Sequence, residues 1–240
     1  MSIPKIIHYC WFGDGPISPE SRKCMESWKK YCPDYKIMAW NEQNFDISTN
    51  RYAQQAYAAK KYAFVSDYAR LVVLYEYGGI YLDTDVELVR PLDELLEHKG
   101  FIGMEHSAPS PYGRTLLVNT GSGVGAEPGC GMIGKMLAAY RNAVFVQETG
   151  EPDLRTCTQR DTPLFTKAGL QQKNEQQELD GFLVLPTDCF SPFDYVTERM
   201  HRTPRTFGIH YYQGSWQSGD KANRWRKRFK CTKVGRWCMW

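Results

Sequence analysis

The sequence has no CxxC pair, and no apolar run approaches the roughly 20 residues that a transmembrane helix needs. Without a CxxC pair, the cysteine spacing of a zinc ribbon is missing. Residues 1–4 lead directly into a strand-like segment, without the pattern of a secretory signal peptide. We therefore expect a cytoplasmic protein whose eight cysteines are mostly reduced thiols, with disulfides as the less favoured alternative.

The excess of positive charge lies at one end of the chain. The net charge is +3, but residues 221–240 include eight basic residues and no acidic ones, which leaves residues 1–220 at −5. Aromatic residues alternate with these basic ones, a pattern typical of segments that bind an anionic membrane surface. We therefore expect peripheral attachment to the inner face of the cell membrane. A solvated end without a partner is the alternative. Nucleic-acid binding is disfavoured, because the acidic body would repel a phosphate backbone.

Alternating strand-like and helical segments predict an α/β fold with a largely parallel sheet. The predicted strands cover residues 3–13, 35–40, 80–82, 86–89 and 183–186, and the predicted helices cover 18–31, 60–77, 92–98 and 131–146. Residues 100–134 are rich in Gly, Pro and Ser and predict loops that reach over a site, with short strand-like pieces. No domain break precedes Ser215, so we expect one domain over residues 1–216 and a basic tail over 217–240.

Two carboxylates, in Asp83-Thr84-Asp85, follow the short apolar strand at 80–82. In open α/β sheets ligands bind at the carboxyl ends of strands. Carboxylate oxygens suit Mg²⁺ or Mn²⁺, which can bridge the diphosphate of a nucleotide-sugar and stabilise its developing charge. A DxD motif alone is weak evidence, since a chain with this many aspartates contains one by chance roughly 0.7 times. A solvated turn is the alternative.

The helix before this motif adds a second pair of charges. Asp67 and Arg70 are three residues apart, so they share one helix face. Apolar segments on both sides, 64–65 and 71–74, indicate that the pair points into a partly buried polar site. The alternative is a surface ion pair that contributes a few tenths of a kcal/mol.

Three blocks resemble one enzyme family. Residues 63–91 closely resemble the family 32 glycosyltransferases, whose sugar-binding region contains a DXD motif; residues 3–11 resemble the family's first strand and residues 210–216 its closing motif. The family includes yeast initiating α-mannosyltransferases and bacterial capsular-polysaccharide enzymes, with the clostridial glucosylating toxins as distant relatives. The resemblance implies a GT-A fold and sugar transfer with retention of anomeric configuration, from a UDP- or GDP-linked donor to a saccharide or lipid-linked saccharide.

The resemblance also implies roles for matching residues. Asp85 is the direct metal ligand, Asp83 contacts the metal and the donor, and His210 is the third ligand, unless it is an ordinary core histidine. Asp67 and Arg70 contact the donor sugar. The remaining donor contacts are Trp11 (stacked on the base, or else a core aromatic), Phe12, Tyr81, Asn119 (on the donor sugar or the acceptor), Gly214, Ser215 and Trp216.

Asp161 departs from the family pattern. Asp161-Thr162-Pro163 stands where the family carries Thr-Gly-Pro, so we expect either a catalytic role for Asp161 or a helix N-cap ahead of Pro163. For the reaction we expect attack by the acceptor on the face that the diphosphate leaves, because no residue is evident as a covalent nucleophile. The alternatives are a catalytically silent nucleotide-sugar-binding module and, least favoured, a DxD phosphatase of the haloacid-dehalogenase type. The expected setting is bacterial surface polysaccharide synthesis.

Overall fold

The computed structural model describes residues 2–213. The strands in this part are β1 (Ile6–Cys10), β2 (Lys36–Trp40), β3 (Gly79–Tyr81), β4 (Val86–Leu88), β5 (Gly100–His106), β6 (Leu116–Ala126), β7 (Gln177–Leu179), β8 (Phe182–Leu185), β9 (Phe193–Asp194), β10 (Arg199–Met200) and β11 (Gly208–His210). The α-helices are α1 (Pro19–Tyr31), α2 (Arg51–Ala58), α3 (Tyr62–Tyr77), α4 (Gly131–Ala138), α5 (Cys157–Lys167) and α6 (Thr187–Phe190), and short 3₁₀ segments cover Ile47–Thr49 and Asp93–Leu95.

A seven-stranded sheet with the order β2-β1-β3-β6-β5-β8-β7 forms the centre of the described part. Strands β2, β1, β3, β5 and β8 share one direction, while β6 and β7 run against their neighbours. Successive side chains of a strand point to opposite faces, and two hydrophobic clusters result. Ile102 belongs to the cluster of helices α2–α5, and Phe101 belongs to the cluster that contains Trp28 of α1. The predicted α/β fold, a mostly parallel mixed sheet flanked by helices, is therefore confirmed.

Helix α3 and strand β3 are joined without a loop. Gly78 ends the helix at φ 63°, and Gly79 follows at φ 99° as the first residue of the strand. A Cβ on Gly79 would lie 2.8 Å from the carbonyl oxygen of Ile6, so glycine is required by the close approach of β1 as well as by the backbone angle. This turn fixes α3 relative to β3, whose carboxyl end leads into the DxD motif.

The prediction of loops over residues 100–134 is wrong. Most of this segment forms the antiparallel pair β5–β6, and the connection between them covers only residues 107–115. The glycines that suggested loops have a packing role. A Cβ on Gly123 would lie 2.6 Å from the Phe190 ring, and one on Gly125 would lie 2.4 Å from the Phe101 ring. Glycine in this strand therefore marks close packing of aromatic side chains.

Several other boundaries differ from the sequence predictions. The predicted helix over 131–146 ends at Ala138, because the chain turns there and the Tyr140 carbonyl accepts a hydrogen bond from Asn50 Nδ2 at 3.0 Å. The predicted helix over 92–98 is a short 3₁₀ segment, and the first strand covers residues 6–10. Helix α2 lies in a segment for which the sequence pattern indicated no helix, and α5 begins at Cys157, ahead of the Asp161 considered as a helix N-cap.

Two negative findings apply to residues 2–213. No helix in this range combines the length and the apolar character that crossing a bilayer requires. The six cysteines in this range form no disulfide with one another. Cys231, Cys238 and the predicted basic tail over 217–240 lie outside the described residues.

Candidate active site

Three side chains that are far apart in sequence converge beyond β3. Asp83 and Asp85 follow β3, and His210 ends β11, which pairs with β4 so that His210 lies opposite Val86. One ligand atom from each of the three residues lies within 4.8 Å of the others. His210 Nε2 is 3.3 Å from Asp85 Oδ1, and both side chains are about nine-tenths buried, at 9% and 13% exposed. The structure thus brings together the three residues that the sequence suggested as metal ligands.

The surroundings of this triad (Asp83, Asp85 and His210) favour a cation. Burial lowers the pKa of His210, but the Asp85 carboxylate outweighs it, and the net effect is a raised pKa. Burial alone would raise the pKa of Asp85, but His210 and a 2.7 Å hydrogen bond from the Gln213 amide lower it. His210 Nδ1 is buried without a hydrogen-bond partner among residues 2–213. Two carboxylates and one imidazole form a donor set that fits Mn²⁺ or Mg²⁺.

Arg70 joins helix α3 to the DxD motif. Its Nη2 lies 3.2 Å from Asp67 Oδ1 and 3.1 Å from Asp83 Oδ1. The shared helix face predicted for Asp67 and Arg70 is confirmed, and the pair is buried, with side chains 9% and 4% exposed. Tyr81 lies under the guanidinium at 4.7 Å and donates its hydroxyl hydrogen bond to Asp83 Oδ1 at 3.1 Å. These contacts hold one oxygen of Asp83 in place.

The other oxygen of Asp83 lies against β6. A Cβ on Gly121 would lie 2.1 Å from Asp83 Oδ2, and the Asp83 amide donates to the Gly121 carbonyl at 2.9 Å. Glycine at this position therefore leaves the space that the carboxylate occupies. Asn119 Oδ1 accepts a 2.7 Å hydrogen bond from the Gly121 amide, so Asn119 stabilises the backbone of β6 next to Asp83.

Asp161 lies in α5 and is 1% exposed. The expectation of an N-cap is wrong: Thr156 caps α5 in a capping box with Gln159, and Asp161 lies one turn further along. Neither carboxylate oxygen of Asp161 has a hydrogen-bond partner among the described residues. Burial, and then the neighbouring Asp67, raise the pKa of Asp161 to about 8. Burial raises the pKa of Asp67 to about 6, against the opposing effect of Arg70.

Glu105 is a residue of this site that the sequence analysis missed. It is 8% exposed, and its Oε2 accepts hydrogen bonds from Asn119 Nδ2 at 2.6 Å and from the Tyr212 hydroxyl at 2.9 Å. The Tyr212 ring in turn lies 4.1 Å from the ring of His210. Glu105 lies near the carboxyl end of β5, at the same edge of the sheet where β3 ends. A polar residue at that end of a strand is the sequence signal that could have indicated Glu105.

The aromatic residues predicted to contact the donor separate into two kinds. Trp11 follows β1 and is partly exposed, with its indole N–H donating to the Gly15 carbonyl at 2.6 Å. Phe12 is instead part of the hydrophobic core, where its ring lies 5.9 Å from the ring of Phe45. Tyr81 is 1% exposed and positions Asp83. Of these three rings, that of Trp11 alone is partly exposed. Gly214, Ser215 and Trp216 lie outside the described residues.

Comparison with known proteins identifies the region around the DxD motif. Residues 18–102 match the family model described as "Glycosyltransferase sugar-binding region containing DXD motif". The matched region includes Asp67, Arg70, Asp83 and Asp85. Trp11, Asp161 and His210 lie outside it. The family resemblance predicted from the sequence is thereby confirmed for this region.

The chain is also similar to two proteins of Schizosaccharomyces pombe. It is 32% identical over 131 residues to inositol phosphoceramide mannosyltransferase 3 and 30% identical over 111 residues to inositol phosphoceramide mannosyltransferase 1. These alignments cover 48% and 42% of this chain and 33% of each relative, so the chain spans about a third of their length. Among solved structures, the PaToxG glycosyltransferase is similar over 69% of this chain and 68% of its own, with 24% identity and a TM-score of 0.49.

Proposed function

We propose that this protein is a metal-dependent glycosyltransferase, because residues 18–102 match the family model of glycosyltransferase sugar-binding regions that contain a DXD motif. It moves a sugar from a nucleotide-sugar to a saccharide acceptor. The observation that carries the proposal is the convergence of Asp83, Asp85 and His210 within 4.8 Å, beside the buried Asp67–Arg70 pair. A family match alone would be compatible with a fold that has lost its site, whereas this arrangement keeps the charged groups that the reaction needs.

The triad is the proposed cation site. Asp83, Asp85 and His210 hold Mn²⁺ or Mg²⁺, which, when bound, stabilises the negative charge on the departing nucleoside diphosphate. Arg70 and Tyr81 keep one oxygen of Asp83 in place through the contacts described above. Preorganised ligands of this kind lose little conformational entropy on binding.

The donor sugar is proposed to lie between α3 and α5. The Asp67 carboxylate accepts hydrogen bonds from sugar hydroxyls, while Arg70 holds it in place at 3.2 Å. Asp161, which is protonated at neutral pH because burial raises its pKa, donates a hydrogen bond. Trp11 provides the surface on which the base stacks.

The reaction is proposed to retain the anomeric configuration. An acceptor hydroxyl oxygen forms a bond to the anomeric carbon as the bond from that carbon to the diphosphate oxygen breaks. The hydroxyl proton passes to a β-phosphate oxygen of the leaving diphosphate. Catalysis then depends on positioning and electrostatic stabilisation rather than on a covalent nucleophile.

The substrate and the cellular setting extend this proposal. The names of the two similar proteins make mannose the first donor sugar to test, linked to GDP or UDP. The basic, aromatic tail over 221–240 supports attachment to an anionic membrane surface from the cytoplasmic side, where lipid-linked saccharides are elongated. Synthesis of a bacterial surface polysaccharide is the role that we propose on this basis.

The test is donor turnover by the full chain. A panel of GDP- and UDP-sugars is incubated with Mn²⁺, and release of nucleoside diphosphate is measured for the parent protein, Asp85→Ala and Asp34→Ala. We expect Asp85→Ala to lose at least 100-fold in rate, because its carboxylate faces His210. Asp34 is a matched control, because its carboxylate is 57% exposed and pairs with Lys5 on the surface. Full activity of Asp85→Ala would refute the metal assignment, and binding of a nucleotide-sugar without turnover would favour the catalytically silent module.

A further inference from the structure

A cavity of about 280 Å³ is lined by Tyr212, whose ring also contacts His210 of the metal triad. Its walls are the end of β5, the short helix α6, the β9–β10 hairpin and the residues that follow this hairpin. Apart from Tyr212, which belongs to the closing motif at residues 210–216, these walls lie outside the sequence motifs and outside the family match, which ends at residue 102.

Tyr212 is the wall that the cavity shares with the triad. Its ring lines the cavity and also lies 4.1 Å from the ring of His210. Its hydroxyl donates to Glu105 at 2.9 Å, and Glu105 also holds Asn119. The backbone of Tyr212 is at φ 49°, in the left-handed region that aromatic residues rarely adopt. A left-handed backbone at such a residue costs about 1–3 kcal/mol, and residues of this kind cluster at functional sites.

The charged groups in the cavity wall are paired with one another. Arg114 Nη1 lies 2.5 Å from Asp194 Oδ2, and Arg205 Nη2 lies 2.9 Å from Asp188 Oδ2. Asp188 also accepts a hydrogen bond from the Thr203 hydroxyl at 2.6 Å. The charges of the two arginines and two aspartates therefore cancel, and the wall carries no net charge while His106 and His201 are neutral. Such a wall offers oriented donors and acceptors without favouring an ion of either sign.

Aromatic rings complete the wall. Phe193, Tyr195 and Tyr212 line the cavity, and the rings of Tyr195 and Tyr212 lie 5.0 Å apart. Rings beside paired polar groups match a sugar, which has an apolar C–H face and a rim of hydroxyls. The volume corresponds to roughly nine water molecules. It falls near the lower end of the roughly 300–1,000 Å³ typical of small-molecule pockets, so it suits one monosaccharide unit.

We propose that this cavity binds a neutral monosaccharide unit of the acceptor. This inference rests on the proposed function, because it places the acceptor next to the proposed donor site. The acceptor enters beside Tyr212, and its hydroxyl reaches the anomeric carbon while Tyr195 and the paired charges hold the sugar ring. The hydroxyl proton leaves with the diphosphate, as in the reaction given above.

The experiment measures binding and transfer separately with the full chain. Methyl glycosides of the common neutral hexoses, together with mannose 6-phosphate, are titrated calorimetrically in the absence of donor. The glycosides that bind are then used as acceptors, and the KM values for the acceptor and for the donor are measured. The variants are Tyr195→Ala and His201→Ala, an exposed residue of the cavity rim. The matched control is Tyr112→Ala, whose side chain is 99% exposed and outside the cavity.

We expect at least a tenfold rise in acceptor KM, or in the acceptor dissociation constant, for Tyr195→Ala and His201→Ala, with the donor KM within twofold of the parent. Tyr112→Ala should match the parent protein, and circular dichroism melts identify any variant that is not folded. Equal acceptor constants for the parent and for both folded cavity variants would overturn the cavity assignment while leaving donor turnover, and thus the proposed function, intact. Tighter binding of mannose 6-phosphate than of the neutral glycosides would contradict the proposal that the ligand of the cavity is neutral. If no donor is turned over, glycoside binding that is lost in Tyr195→Ala still supports the cavity as a saccharide site.

Discussion

The guanidinium of Arg70 holds two carboxylates at once, Asp67 at 3.2 Å and Asp83 at 3.1 Å. Asp67 is one helical turn before Arg70, and Asp83 follows the strand into which the same helix leads. The Arg70 guanidinium thus links Asp67, the proposed sugar-binding residue, to Asp83, a proposed metal ligand. The Arg70–Asp83 distance depends on the tight turn at Gly78 and Gly79, which sets the helix against the sheet.

Replacing Arg70 with lysine should damage both activity and stability. Lysine keeps the charge but lacks the planar fork that reaches two carboxylates. Asp67 would then be left buried with a weakened partner, and breaking a buried pair costs about 3–5 kcal/mol. We expect kcat/KM to fall about 100-fold or more and the free energy of unfolding in urea to fall by a few kcal/mol. Arg90→Lys, in a partly exposed pair with Glu94, is the control and should change neither quantity appreciably.

Substituting Gly121 tests the position of Asp83 without removing a functional group. A Cβ at residue 121 would lie 2.1 Å from Asp83 Oδ2 and would displace it. Arg70 and Tyr81 hold the other oxygen of this carboxylate, Oδ1. We expect Gly121→Ala to remain folded but to weaken Mn²⁺ binding at least tenfold, as measured by Mn²⁺-dependent thermal stabilisation. Gly131→Ala is the matched control, since its added Cβ would contact nothing within 4 Å. Equal Mn²⁺ affinities in the two variants would show that Asp83 is not a ligand.

The buried Asp161 should make the protein less stable as the pH rises. Burial raises the pKa of the folded Asp161 carboxyl to about 8, from the usual 3.8 of an aspartate in an unfolded chain. Between these values the unfolded chain has lost a proton that the folded chain keeps, so unfolding is favoured progressively from about pH 4 to about pH 8. Asp161→Asn removes this penalty and should be more stable than the parent at pH 7, by roughly 2–4 kcal/mol.

Urea unfolding at pH 4.5, 6 and 7.5 measures this effect. The difference between Asp161→Asn and the parent should grow with pH, while activity should fall if Asp161 donates a hydrogen bond to the sugar. A difference in stability that does not vary with pH would contradict a protonated Asp161. Asp34→Asn, at an exposed position, provides the comparison.

Removing residues 221–240 tests the proposed membrane attachment. The segment contains eight basic residues, and each contributes about 1 kcal/mol of attraction near an anionic surface. Co-sedimentation with vesicles that contain phosphatidylserine should be lost in the truncated protein and should weaken in high salt. Vesicles of phosphatidylcholine alone are the control. Undiminished binding of the truncated protein to anionic vesicles would exclude this segment as the anchor.

Much of the site could be predicted from local sequence. Helical spacing placed Asp67 and Arg70 on one face, and the two glycines indicated the end of α3. The glycines of β6 misled the prediction, because their packing against Phe101 and Phe190 cannot be recognised from composition. Phe12 is another residue that the sequence misplaces, because its ring packs in the hydrophobic core beside Phe45 and local sequence does not specify that burial.

The sequence by itself determined the unit from α3 to the DxD motif, because its contacts join residues close in the chain and follow from helical and strand spacing. Only the tertiary structure decided that His210 completes the triad, since pairing of β11 with β4 brings it beside Asp85 across more than a hundred residues. The same holds for the position of Glu105 beside Tyr212, for the burial that raises the pKa of Asp161, and for the cavity lined by Tyr212. Burial and strand pairing at long separation depend on how the whole chain packs, and no local pattern specifies them.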